Sequence, residues 1–317
     1  MENILLNMPK TQKPVILGTD WHSDCDDAAA IRILAWAHIN KVVRLLGISI
    51  DSAMEYSVSS MLTFMRHEGI EDVSLGFDRN AVEYGGKTKY QPRLAAGRDI
   101  ASENLSCEDA LRLYRRLLAF SEDKVDIIEI GFSQVISELL SSGADEFSPL
   151  SGIDLVRSKV GKLWIMGGNW QDGTKKECNF TKAPKATYSI NKIMELCPVE
   201  IVFLGFEVGC DVISGRYLSR HKKDMLYGIF SDYGFGDGRA SWDPLTAYLA
   251  CTGNINAAGY RQVRGWASID TTTGFTDFVE DENGKHSYVV KLKENEEYAD
   301  CLDEIMTLHY EYIFRNI

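Results

Sequence analysis

An apolar run, Val15-Ile16-Leu17, gives way to Gly18-Thr19-Asp20-Trp21-His22-Ser23-Asp24-Cys25-Asp26-Asp27. Four carboxylates, Asp20, Asp24, Asp26 and Asp27, fall within eight positions. A short apolar run bounded by polar residues predicts a buried strand, and residues 28–37 predict a helix. Carboxylates crowded at a strand end repel one another. A hard cation with oxygen ligands offsets that repulsion, and the field of a helix N-terminus favours negative charge as well. Asp26 and Asp27 in a first helical turn point roughly 100° apart. One can then meet a metal while the other reaches a substrate. The plainer reading is a solvated acidic cap with no ligand.

The rest of the chain repeats the pattern. Strands are predicted over 15–17, 42–50, 73–77, 125–130, 163–166 and 200–204. Helices are predicted over 28–37, 56–68, 106–121, 135–141 and 184–196. This alternation argues for an α/β fold with a mostly parallel central sheet and helices on both faces. Ligands of such sheets sit beyond the carboxyl ends of the strands, where the polar motifs of this chain fall. Residues 78–103 read as a long surface loop and 227–239 as a flexible one. Asp281-Glu282-Asn283-Gly284-Lys285 reads as the turn of a hairpin joining 278–279 to 288–290. No internal repeat or linker divides the chain, so 1–317 is read as one domain.

The net charge is −12 over 317 residues, which argues against nucleic-acid binding through phosphate neutralisation. Residues 1–14 lack the basic start and apolar core of a signal peptide, and no run is long enough to span a membrane. The seven cysteines are odd in number and contain no Cys-x-x-Cys pair, a reduced, cytoplasmic pattern. Cys25 reads as a small packing residue, because neighbouring carboxylates disfavour its thiolate.

The motif around Asp20, Asp26 and Asp27 resembles the signature of the inosine–uridine-preferring nucleoside hydrolases, Asp-x-Asp-Pro-Gly-x-Asp-Asp-Ala. Gly18 stands where the first Asp of that signature would be, and the loop from Trp21 to Cys25 is two residues longer. Further resemblance lies in Gly131-Phe132-Ser133-Gln134, in Met166-Gly167-Gly168 with Glu177-Cys178-Asn179-Phe180, and in Ser241-Trp242-Asp243-Pro244. It spans about three-quarters of the chain, and its specificity lies in the ordered set rather than in any one motif. Ala183 replaces the family's Asp before Pro184, and Trp242 replaces its His before Asp243.

The resemblance implies a nucleoside hydrolase-like fold, a calcium ion and hydrolysis of the N-glycosidic bond of a riboside. It implies that Asp20, Asp27, the Gln134 carbonyl and Asp243 hold the metal. Asp20 would also act as general base. Asp26, Asn169, Glu177 and Asn179 would bind the ribose, with Asn169 the nearest candidate for a ribose-contacting Asn. Trp242 can offer an aromatic face to a base but no useful acid. His22, its charged form favoured by the acidic loop, is the alternative acid. Asp24 has no family counterpart and could join the metal or the sugar. The partner is thus a small-molecule riboside, without nucleic acid or membrane, and homo-oligomers are left open. A binding protein that keeps the pocket without turnover is the competing reading. A phosphotransferase with an Asp-x-Asp nucleophile fails because Gly18 removes the first Asp.

Overall fold

The computed structural model describes residues 8, 10–22 and 24–316. Residues 1–7 and 9, which carry much of the signal-peptide argument, lie outside that set. The strands run β1 (Lys13–Thr19), β2 (Val43–Ile50), β3 (Ser74–Phe77), β4 (Glu108–Asp109), β5 (Val125–Glu129), β6 (Val160–Met166) and β7 (Glu200–Leu204). After these come a short ribbon, β8 (Ile213–Ser214) with β9 (Arg239–Ala240), and then β10 (Tyr260–Ile269), β11 (Thr276–Glu280) and β12 (His286–Lys291). Ten of them form one sheet in the order β11-β10-β12-β7-β6-β5-β1-β2-β3-β4. The strands from β12 to β4 in that order pair in parallel, and β10 lies antiparallel to both its neighbours. The predicted α/β architecture is therefore the observed one.

Each central strand feeds two cores, as the period-2 geometry of a strand requires. Val15 and Leu17 of β1 join one apolar cluster and Ile16 the other. Trp164 and Met166 of β6 face the first, Leu163 and Ile165 the second. Both faces are covered by helices, so the strands read as continuous apolar runs. The helix Asp26–Ile39 is buried from Asp26 to Ala37. Its alanines let the helices Trp242–Thr252 and Asn295–Asn316 approach closely, and a helix apolar on all sides belongs in such a layer.

The chain leaves β1 toward β2, β3 and β4, then returns to the other side of β1 for β5, β6 and β7. The order reverses between β1 and β5. That switch point opens a crevice beyond the strand ends, and the acidic loop after β1 lies at it.

Four local expectations are corrected. The helix expected over 106–121 begins at Ala110: Asp109 caps it by accepting from the Arg112 N–H at 3.1 Å, and Glu108–Asp109 pair with β3. The segment 78–103 is no plain surface loop. It contains the short helix Gln91–Leu94 and the start of Ile100–Ser106, and it buries Tyr84, Tyr90 and Gln91 completely. The segment 227–239 is helical in its first part, within Met225–Asp232. Residues 281–285 do turn, but β11 and β12 do not pair with each other. They flank β10 on opposite sides, Glu280 and His286 both pairing with Gly265. The turn carries the chain across β10.

Candidate functional site

Two helix N-termini meet at the crevice. Asp26 and Asp27 occupy the first turn of Asp26–Ile39, and Asp243 the first turn of Trp242–Thr252. The Asp243 N–H donates to Asp26 Oδ2 at 3.3 Å. One oxygen from each of Asp26, Asp27 and Asp243 falls within 4.8 Å of the others, and all three side chains are buried. Burial raises the three carboxyl groups above their usual range. Repulsion adds to it, chiefly from Asp24 on Asp26, from Asp20 on Asp27 and from Asp26 on Asp243.

Asp27 is aimed by hydrogen bonds. Its Oδ1 accepts from the Thr19 hydroxyl and from the Trp21 N–H, the latter at 3.3 Å. Asp24 turns away to Arg239, whose Nη2 donates to it at 2.5 Å. The Arg239 guanidinium also lies over the Phe235 and Trp242 rings, 4.5 and 4.9 Å from their centroids.

The cluster forms one end of a cavity of about 310 Å³. Its walls include Asp24, Ile130, Met166, Lys176, Glu177, Asn179, Phe206, Arg239 and Trp242. That size lies at the lower end for small-molecule sites. Glu177 caps the short helix Cys178–Thr181, accepting from the Asn179 N–H at 2.8 Å, the Phe180 N–H at 3.1 Å and the Gly168 N–H at 3.2 Å. Burial nevertheless pushes it up to about 7. Asn179 donates from Nδ2 to the Ile130 carbonyl at 3.1 Å and the Met166 carbonyl at 3.3 Å. Its amide nitrogen is thereby committed to the ends of β5 and β6.

No family model matches the sequence, and no curated protein does. Solved structures do match. The inosine-uridine preferring nucleoside hydrolase of Bacillus anthracis aligns with a TM-score of 0.68 at 16% identity, over 95% of this chain and 99% of its own. The purine-preferring ribonucleoside hydrolase of Gardnerella vaginalis gives 0.68 at 15%, over 94% and 99%. The type III effector protein XopQ, solved in complex with adenosine diphosphate ribose, gives 0.69 at 14%, over 96% of each chain.

The fold is that of the nucleoside hydrolases.

Within this nucleoside hydrolase fold the sequence-derived residues divide. Asp26, Asp27, Glu177, Asn179, Trp242 and Asp243 all line the cavity. Asp20, His22, Gln134 and Asn169 are not among its lining residues. Asp20 is buried and accepts from the His22 N–H at 3.2 Å. It raises Asp27, Asp243, Asp51 and Glu129 by repulsion, so it lies near both the cluster and the buried acids Asp51 and Glu129. His22 is buried against Asp20, its Nδ1 3.3 Å from the Asp20 carbonyl oxygen, so it faces neither solvent nor the cavity. Gln134 opens the helix Gln134–Ser141, a position whose carbonyl points along the axis into the helix. Its side chain donates to the Asp51 carbonyl at 2.6 Å. Asn169 is turned to Thr276 and Asp172, its Oδ1 accepting from the Asp172 N–H at 3.0 Å.

Trp242 lines the cavity with Phe206, their ring centroids 5.4 Å apart. Its indole N–H donates to the Phe206 carbonyl at 2.9 Å. The indole ring thus lines the cavity between Phe206 and the Arg239 guanidinium, with its N–H already committed.

Sequence reading missed Arg239, Lys176, Phe206 and the buried pair Asp51 and Glu129. Arg239 ends a glycine-rich loop, and Glu129 is embedded in an apolar strand; neither carries a local signal. Cys25 is buried as anticipated, with its thiol pushed up by burial and by Asp24 and Asp26. All seven cysteines are free. Among the described residues no helix is long and apolar enough to cross a membrane.

Proposed function

We propose that the cavity binds a riboside and that the protein hydrolyses its N-glycosidic bond with a divalent cation, calcium, at Asp26, Asp27 and Asp243. The observation that carries this reading is the trio of buried carboxylates at one end of a cavity walled on another side by Glu177 and Asn179. The donor set fits a hard cation: three oxygens within 4.8 Å, no nitrogen or sulfur among them, and Arg239, the nearby guanidinium, already paired with Asp24. Such a cation neutralises the trio and lowers the pKa of a water that it binds.

Glu177 and Asn179 take the sugar hydroxyls. Together with the trio they place negative charge around the ring, where positive charge develops as the bond to the base breaks. Asp20 serves as general base, fixed by the His22 N–H and adjoining Asp27. Water adds to C1′, the N-glycosidic electron pair leaves with the base, and the proton of the water passes to Asp20. Phe206 and Trp242 give the base a flat apolar wall. With the indole N–H committed to Phe206 and the His22 Nδ1 turned to the Asp20 carbonyl, ribosides whose base departs without protonation are the preferred substrates. The same lack of an acid supports a second reading, in which the protein binds a ribosyl ligand without turnover.

The test is release of reducing sugar by the purified protein with calcium from inosine, uridine and a nitrophenyl riboside, beside metal analysis of wild type and Asp27→Ala. The proposal expects stoichiometric metal in wild type, loss of it in Asp27→Ala, and fastest release from the nitrophenyl riboside. Asp20→Asn should lower turnover roughly 10²–10⁴-fold. Ribose binding without release from any riboside would favour the binding reading, and a wild type without metal would overturn the cation.

A further inference from the structure

Among the described residues three that are not glycine have positive φ: Gln12, Trp21 and Lys41. Gln12 and Lys41 are exposed. Trp21, with φ of 58°, is completely buried. A bulky residue holds this conformation only where its surroundings over-determine it.

The surroundings of Trp21 do so. Its carbonyl accepts two hydrogen bonds, from the Tyr90 hydroxyl at 2.7 Å and from Gln91 Nε2 at 2.8 Å. Its indole N–H donates to Ser60 Oγ at 2.8 Å, and its ring meets Phe64 and Tyr90 with centroids 5.2 Å away in each case. Its backbone N–H points the other way, to Thr19 Oγ1 at 3.1 Å and Asp27 Oδ1 at 3.3 Å. A continuous path thus runs from the segment 78–103 through one residue, the two peptide units that meet at the Trp21 Cα, to a carboxylate of the trio. Neither Tyr90 nor Gln91 lines the cavity.

We propose that Tyr90 and Gln91 are positioning residues for the cation site: by holding the Trp21 carbonyl they keep the Trp21 N–H on Asp27 Oδ1 and so fix the Asp27 carboxylate. This rests on the reading of Asp26, Asp27 and Asp243 as a divalent-cation site. The two bonds are made by a segment distant in sequence, so they secure a loop that is two residues longer than the signature it resembles.

The experiment is calorimetric titration of calcium into the metal-free full chain, for wild type, Tyr90→Phe, Gln91→Met, the double variant and Tyr84→Phe. Tyr84 belongs to the same segment, is equally buried, and its hydroxyl has no hydrogen-bond partner. It controls for loss of a buried hydroxyl alone. Each single variant should weaken calcium binding several-fold and the double variant about tenfold or more, with Tyr84→Phe unchanged. Exchange of the Trp21 amide hydrogen, followed without metal, should speed up in the same order. If the double variant fails to fold, Tyr90→Phe, which removes a single oxygen, decides. Unchanged calcium affinity and unchanged Trp21 exchange in the variants would overturn the positioning role while leaving the cation site standing. A wild type that takes up no calcium would overturn the cation site, and this proposal with it, before any variant is compared.

Discussion

An ideal Cβ placed on Gly18 would come within 2.3 Å of Glu129 Oε2. The carboxylate that the signature sequence carries at this position of β1 has no room here, because a carboxylate from the neighbouring strand β5 fills the space. Glu129 accepts from the Gly131 N–H at 3.0 Å and sits against Asp51, which accepts from the Phe132 N–H at 3.0 Å. Burial pushes Glu129 up to about 7 and raises Asp51 as well, and a charged Glu129 disfavours charge on Asp51. Gly18→Asp should therefore be destabilised by about 2 kcal/mol or more, through overpacking and a third buried acid. Adding Glu129→Ala should recover much of that loss. Urea titrations of the single and double variants check this; a double variant no more stable than Gly18→Asp alone would show that the space is not exchangeable. Gly18 was legible as a departure from a signature. Its reason was not, since the residue that fills the gap is more than a hundred positions away in an apolar run.

Through residue 204 the alternation of apolar runs matches most strands and helices near their observed limits, because each central strand is covered on both faces and reads as a short continuous block, but the helices Gly152–Lys159 and Asn295–Asn316 and the strand Tyr260–Ile269 were not anticipated. The edge of the sheet was harder. Residues 281–285 carry a turn signal, and a turn signal says that the chain reverses or bends, not which strand receives it. Here the chain crosses β10 where two glycines touch. A Cβ on Gly284 would lie 2.0 Å from the Gly265 carbonyl oxygen, and one on Gly265 would lie 2.1 Å from that of Val279. Those contacts are backbone and cannot yield. Gly284→Ala should loosen the crossing and expose the amides of Thr276–Glu280 to faster hydrogen exchange, with β5 and β6 unaffected. Equal protection of β11 in variant and wild type would contradict the close approach. The segment 78–103 misled for a related reason: its polar composition hid Tyr90 and Gln91, whose polar atoms face the buried carbonyl of Trp21 rather than water.

Across the whole molecule two sets of buried charges respond to pH in opposite directions. Arg32, completely buried in the helix Asp26–Ile39, pairs with Glu68 at 2.7 Å and Asp224 at 2.5 Å, tying that helix to the C-terminal end of Ser57–His67 and the N-terminal end of Met225–Asp232. It outweighs their burial and holds Glu68 down at about 2 and Asp224 well below the usual carboxylate range. Lowered carboxyls stabilise the fold above their unfolded values and lose that contribution as pH falls. Glu129 and Glu177, raised to about 7, act the other way: they favour the fold when protonated, and their contribution disappears as pH rises from about 4.5 to 7. Asp26, Asp27 and Asp243, also raised by burial, add to the neutral-side loss, so metal-free protein should be most stable near pH 5, declining on both sides, and calcium bound at those three carboxylates should reduce the neutral-side decline. Melting curves from pH 3 to 8, with chelator and with calcium, measure this; stability that climbs steadily to pH 7 in chelator would contradict it. Arg32→Leu, which leaves two acids buried without a counter-charge, should lower stability by about 3–5 kcal/mol.

The acidic loop is fastened by partners from far along the chain: Tyr233 on the His22 carbonyl, Arg239 on Asp24 and the Asp243 N–H on Asp26, the last 217 residues apart. A ribosome adding about 5–20 residues per second takes roughly 10–45 s to cover that interval. During that time Asp26 and Asp27 have emerged, but the third carboxylate of their cluster does not yet exist. A chain interrupted just before Asp243 carries the most recognisable motif of the protein, with Tyr233 and Arg239 already made but the third carboxylate missing. The cluster of Asp26, Asp27 and Asp243 is therefore completed late, once the chain has grown through Asp243.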